Sequence, residues 1–195
     1  MKKYIALGLA APLLAALAGT AAAESYVGLG AGPSNFRVDC SGLNRCDKSD
    51  VGVKFFGGYR YTPMISAELA YIDFGKSTST ATQDGFQLEG TLKSHALVAD
   101  VALRMPLATA VSGIARVGVA RVRSALDQRA DGNIIASNAR TSLQPYLGVG
   151  LQYVVQKNIS VEVGLDMTRA KLSNNAGGSS TSTLRLANAG VTYGF

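Results

Sequence analysis

Thr183-Leu184-Arg185-Leu186-Ala187-Asn188-Ala189-Gly190-Val191-Thr192-Tyr193-Gly194-Phe195 decides the reading of this chain. Ala189, Val191, Tyr193 and Phe195 alternate with Asn188, Gly190, Thr192 and Gly194, so every second residue is apolar and the last is aromatic. A face of small and polar groups cannot fill a dense core, which leaves the apolar face as the outer one. A strand that is apolar outside and polar inside belongs in lipid. Only a closed barrel satisfies the backbone of such strands there.

The same period of two, carried back along the chain, gives seven further strands and eight in all. The first spans about 26–36, with Val27, Leu29 and Ala31 opposite Gly28, Gly30 and Gly32. The others cover about 50–61, 65–74, 92–103, 110–123, 141–154 and 159–170. The last of these is the most regular: Ile159, Val161, Val163, Leu165 and Met167 oppose Ser160, Glu162, Gly164, Asp166 and Thr168. Tight turns at 62–64, 106–109 and 156–158 alternate with long polar connections at 37–49, 75–91, 124–140 and 171–182. Short turns on one side and long loops on the other describe an all-β, eight-stranded antiparallel up-and-down transmembrane β-barrel. In a soluble barrel or sandwich the outer face would consist largely of glycine, alanine and isolated charges, an unsuitable strand surface. A second, ten-stranded reading arises if 77–92 forms another hairpin; the parity of the turns favours eight.

Residues 1–23 are set aside as a signal peptide. Lys2 and Lys3 precede an apolar run from Ile5 to Ala18, and Ala21-Ala22-Ala23 offers a cleavage site before Glu24. The remaining 24–195 form one outer-membrane β-barrel domain by size, with no stretch long and apolar enough for a membrane-spanning helix. Without Lys2 and Lys3 the net charge falls from +6 to +4, and there is no dense basic run, so nucleic acid is not an expected partner. Cys40 and Cys46, the only cysteines, are expected to close a small loop as a disulfide. A zinc site would need two more ligands, and the single His95 lies far away.

The glycine-bearing face carries Lys54, Arg60, Arg104 and Arg116 against Glu68, Asp100, Glu162 and Asp166, four charges of each sign. Charges directed into hydrocarbon cost several kcal/mol, whereas paired in a narrow lumen they persist. The balance predicts a lumen charge network, joined by Gln144, Tyr146 and Gln152, that plugs the barrel. The outward face carries Tyr61, Tyr153, Tyr193 and Phe195 at the short-turn end, as expected of an interfacial aromatic girdle, with Tyr71 a candidate at the opposite interface. Two places resist the pattern. Arg121, Arg123 and Arg185 fall on the outward face near the long loops, where arginine reaches lipid head groups. Leu184 and Leu186 point inward by parity unless a bulge or an earlier loop start intervenes.

No catalytic constellation, metal site or cofactor motif emerges, so no enzyme activity, metal or cofactor is expected. His95 has no serine at a motif spacing, and Gly28, Gly30 and Gly32 alternate within a strand rather than opening a helix. The long loops remain as the functional surface, for a host or surface ligand or as a hydrophilic coat.

Tyr26-Val27-Gly28-Leu29-Gly30-Ala31-Gly32, Gly57-Gly58-Tyr59-Arg60-Tyr61, Glu68-Leu69-Ala70-Tyr71-Ile72-Asp73-Phe74-Gly75 and the terminal Tyr193-Gly194-Phe195 resemble the small outer-membrane β-barrel proteins of Gram-negative bacteria, the OmpA-like transmembrane or opacity-protein-like group. The resemblance covers essentially all of 24–195. It implies residence in the cell outer membrane, with long loops extracellular and short turns periplasmic, and structural, adhesive or small-solute roles. The expected partners are outer-membrane lipids and lipopolysaccharide, the barrel-assembly machinery and periplasmic chaperones, with Tyr193 and Phe195 as the assembly signal; a monomer is expected. Attachment to the cell wall through a peptidoglycan-binding domain after Phe195 is not expected, and His95 does not match the histidine–serine pattern of lipid A deacylase barrels. The combined reading is a structural, envelope-integrity or surface-adhesion barrel acting through its extracellular loops; the alternative is a narrow porin or channel for small solutes, or a barrel that passes small apolar solutes laterally into the membrane.

Overall fold

The computed structural model describes residues 24–37, 44–83, 86–130, 133–173 and 179–195. Among the described residues there are nine strands: β1 (Glu24–Arg37), β2 (Arg45–Asp47), β3 (Ser49–Arg60), β4 (Ile65–Gln83), β5 (Phe86–Ala108), β6 (Val111–Ala130), β7 (Asn133–Gln156), β8 (Ile159–Ser173) and β9 (Ser179–Gly194). Eight of them, β1 and β3 to β9, form an antiparallel meander. It closes because β1 pairs with both β3 and β9, as in Leu29 opposite Phe55 and Val191. The short β2 lies outside the ring and pairs with the outer part of β4, Cys46 opposite Ser79.

The pattern of exposure is the reverse of a water-soluble protein. Leu69, Leu97, Val117 and Leu147 are exposed, while Lys54, Glu68, Arg116 and Asp166 are buried. Closure explains both halves. Eight strands enclose a lumen only wide enough for side chains, and water cannot reach the outer apolar band in a membrane. Glycine gives inward aromatic rings their room: a Cβ at Gly58 would lie 2.4 Å from Cζ of Tyr26.

The polar connections are not loops over most of their length. The stretches at 75–91, 124–140 and 171–182 continue β4–β5, β6–β7 and β8–β9 as paired hairpins, up to Gln83 opposite Phe86, Ala130 opposite Asn133 and Ser173 opposite Ser179. The segment 77–92 thus lengthens an existing hairpin instead of adding two strands to the ring. Such polar ribbons lack an apolar face because both of their faces meet water, so alternation does not announce them. Gly75 marks where β4 leaves the barrel proper. It adopts φ +73°, the register shifts between Asp73 and Lys76, and a Cβ there would meet Asp50 Oδ2 at 2.6 Å. The Asp50 carboxylate instead accepts the Lys76 N–H at 2.8 Å, and Asp73 accepts that of Gly75 at 2.8 Å.

At the other end the strands are joined by turns at 61–64, 109–110 and 157–158. β5 continues through Pro106 to Ala108, with an irregularity that accommodates the proline, so the second turn sits slightly later than its sequence signal. The girdle residues Tyr61, Tyr153, Tyr193 and Phe195 are all exposed here, with Tyr193 and Phe195 stacked at 6.4 Å between ring centroids.

Candidate functional site

Inward-facing residues divide the lumen into two layers. The layer nearer the short turns is ionic. Glu68 on β4 accepts from Arg116 Nε at 2.7 Å and Arg104 Nη2 at 3.3 Å, and also from the Tyr26 hydroxyl. Arg116 on β6 forks onto Glu162 of β8, with Nη1 at 2.6 Å from Oε1 and Nη2 at 3.0 Å from Oε2. Two parallel bonds of this kind are among the stronger side-chain contacts and fix the planes of both groups. Lys54 on β3 crosses the lumen to Asp166 on β8, at 2.9 and 3.1 Å from its two oxygens. The Tyr146 hydroxyl and Asn188 Nδ2, the latter at 2.8 Å, also donate to Asp166. Arg104 reaches Ser66 Oγ at 2.6 Å and Gln152 Oε1 at 3.4 Å, and its guanidinium lies 4.7 Å from the Tyr26 ring centroid. These groups come from all eight barrel strands and join opposite walls.

Two of the eight expected charges stand apart. Arg60 pairs with Glu24 at the rim, where both side chains remain partly open to solvent. Asp100 is buried opposite Glu68 in register, yet neither of its carboxylate oxygens has a partner among the described residues. The buried layer therefore holds Lys54, Arg104 and Arg116 against Glu68, Asp100, Glu162 and Asp166. The four-to-four balance expected from sequence is a surplus of acid in the interior, because Arg60 belongs to the mouth. Gln144 lies higher, bonded to Ser142.

The second layer, toward the long hairpins, is apolar. Phe36, Ile72, Phe74, Val98, Val122, Leu184 and Leu186 pack together with Ala96, Ala120 and Ala170. No bulge or early loop start turns Leu184 and Leu186 away. They stay in ladder register opposite Thr168 and Asp166 and are fully buried. Each large side chain so placed contributes roughly 1.5–3 kcal/mol of burial. Ser34 spans the junction of strands here, donating to the Phe74 carbonyl at 2.5 Å. Stacked layers of ion pairs and hydrocarbon leave the interior occluded.

Sequence reading passed over Tyr26, Ser66 and Asn188, whose inward parity was legible, and the apolar layer as a whole. The signal for that layer was the loss of alternation toward the outer ends of strands, as in Tyr71-Ile72 and Leu97-Val98. His95 faces outward between Asp73 and Arg123 in register, its ring 6.0 Å from that of Tyr71. Among the described residues no group of histidine, cysteine or acidic side chains is arranged to hold a metal. Cys46 lies in β2; Cys40, and with it the expected Cys40–Cys46 bridge, falls outside the described residues, as does the expected signal peptide 1–23.

The model of the OmpA-like transmembrane domain family matches residues 20–195. Among solved structures, the chain is similar to Ail, the attachment invasion locus protein of Yersinia pestis, crystallised with the heparin analogue sucrose octasulfate. The TM-score is 0.56 at 16% identity, covering 89% of this chain and 99% of that one. Neisserial surface protein A gives a TM-score of 0.61 at 14% identity, with 88% and 97% covered. The N-terminal β-barrel domain of Pseudomonas aeruginosa OprF gives 0.51 at 13%, with 89% and 97% covered. No curated protein sequence matches the chain.

Proposed function

The chain belongs to the OmpA-like transmembrane domain family, and from that membership we propose that it is a surface-adhesion barrel whose polar hairpins engage a ligand outside the cell. It lies in the outer membrane, surrounded by its lipids, with the hairpins extracellular and the short turns periplasmic. The observation that carries the reading is the extension of β4–β5, β6–β7 and β8–β9 as ordered ribbons well beyond the apolar band. A barrel that serves only as a wall needs no such ribbons. Arg37, Arg45, Lys48, Lys76, Lys93, Arg129, Arg140 and Lys171 on this side are matched in number by Asp39, Asp47, Asp50, Asp73, Asp84, Glu89, Asp127 and Asp131, and its basic bias comes from Arg121, Arg123, Arg169 and Arg185 at the bases of the hairpins. That bias suits an anionic surface such as a sulfated polysaccharide, the chemistry of the heparin analogue bound to Ail. Cells displaying the chain are expected to adhere to heparin-coated surfaces. Adhesion is expected to fall several-fold when the β6–β7 hairpin is shortened to end at Ser124 and Arg140 with a two-residue turn; equal adhesion by that variant, once shown to be folded, sinks the reading.

The occluded interior supports a structural barrel over a narrow porin. Refolded protein in planar bilayers is expected to show no conductance steps. Arg116→Met alone should remain silent, since the apolar layer above it stays closed. Reproducible steps from the unaltered chain would revive the channel reading.

Delivery to the membrane is assigned to the barrel-assembly machinery and periplasmic chaperones, with Tyr193 and Phe195 as the recognised end. Phe195 is exposed and contributes one backbone bond, its N–H to the Ser25 carbonyl at 2.9 Å. Deleting Phe195 should therefore cut assembled protein in cells several-fold while spontaneous refolding into detergent is little changed. A parallel loss in both assays would assign the residue to packing instead.

A further inference from the structure

The lipid-facing wall of β7, β8, β9 and β1 is hollowed by an open groove of about 620 Å³. Ala31, Pro33, Val149, Val163, Ala187 and Ala189 line it with outward, almost wholly apolar side chains. Three arginines stand directly above its extracellular end. Thr183 of β9 pairs with Arg37 of β1 on one side and with Arg169 of β8 on the other, which puts both arginines at one level. Arg185 lies two residues closer to the membrane centre on β9, between Asn35 and Met167, and the next outward residue below it is Ala187 in the groove. Strand spacing places Arg37 and Arg169 roughly 10 Å apart, with Arg185 between and beneath them.

All three arginines are exposed on the outer face, and among the described residues no carboxylate pairs with any of them. Three cations gathered on a lipid-facing wall repel one another and are costly at this depth unless an anion meets them. Guanidinium groups match phosphate oxygens in a bidentate fork, better than a lysine would. Arginines also stand on the outward face of β6, but the wall beside and below Arg121 and Arg123 carries the projecting Leu97, Val119 and Leu143. Charge and hollow coincide on the β8–β9–β1 wall.

We propose that this wall is a docking site for one phosphorylated, acylated lipid of the outer leaflet, its phosphate held by Arg37, Arg169 and Arg185 and an acyl chain laid in the groove. The site rests on the outer-membrane location alone. Adhesion through the hairpins stands or falls separately.

The full chain, refolded in detergent micelles, can be titrated with a bis-phosphorylated, multiply acylated glucosamine disaccharide lipid and the retained lipid counted by native mass spectrometry. One molecule per barrel should be retained in preference to phosphatidylcholine. The triple variant Arg37→Gln/Arg169→Gln/Arg185→Gln should weaken retention roughly a hundredfold. Ala187→Leu, which fills the groove and touches no charge, should weaken it as well, and Arg121→Gln/Arg123→Gln should retain lipid like the parent. Heat-modifiable gel mobility verifies that each variant is folded. Unchanged retention in the triple or the Ala187→Leu variant overturns the proposal. So does an equal loss in the Arg121/Arg123 variant, or displacement of the lipid by inorganic phosphate at matching concentration, which would leave the groove without a role.

Discussion

Arg116→Met is expected to lower the unfolding free energy by about 3–5 kcal/mol, the largest loss of any single lumen charge. Arg116 donates to both Glu68 and Glu162, and its side chain is almost wholly buried. Removing it strands Glu162 and leaves Glu68 with only Arg104 and Tyr26, in a layer already acidic by Asp100. Glu68→Gln should cost less, because it leaves the buried charges equal in number and keeps an acceptor oxygen near Arg116. Asp100→Asn, nearly isosteric, removes the surplus charge and is expected to leave stability unchanged or raise it. The chain has no tryptophan, so urea unfolding in phospholipid vesicles is best followed by gel mobility and far-ultraviolet circular dichroism. A larger loss from Asp100→Asn than from Arg116→Met would show that the ionic layer is organised around Asp100 instead.

Phe74→Ala should cost a comparable 3–5 kcal/mol through a different mechanism, the loss of a buried ring and the cavity left behind. Phe74 is fully enclosed with Phe36, Ile72 and Leu186 in the apolar layer. The ladder around it is fixed by Ser34 and by the bulge at Gly75, so little collapse is available to fill the space. Phe74→Leu should recover most of the loss, since it retains much of the volume. A cost below about 1 kcal/mol for Phe74→Ala would mean that water fills this layer, and the two-layer description of the lumen would fail.

How far the chain could be read in advance differs from one residue to the next. The outward Val161, Val163 and Leu165 and the inward Glu162 and Asp166 follow from period two, because adjacent side chains on a strand must take opposite faces. The hairpin extensions did not follow from it. At Thr78–Thr80 and Ser137–Thr141 both faces are polar, and a ribbon open to water on both sides carries no alternation to detect. Leu184 and Leu186 were correctly placed by parity but looked anomalous, because an inward apolar residue has no evident company until Ile72, Phe74 and Val122 are brought beside it.

Sequence alone determined which residues face lipid and which face the lumen, and with that the eight-stranded closed barrel, since face is a local property of each strand. Only the tertiary structure decided who meets whom. Lys54 finds Asp166 across 112 positions of chain, Arg60 is drawn off to Glu24 at the rim, and Asp100 is left unpaired beside Glu68. Those outcomes depend on the stagger with which distant strands close the ring, and a period-two pattern is blind to stagger. The same closure gathers Arg37, Arg169 and Arg185 from both ends of the chain above one groove.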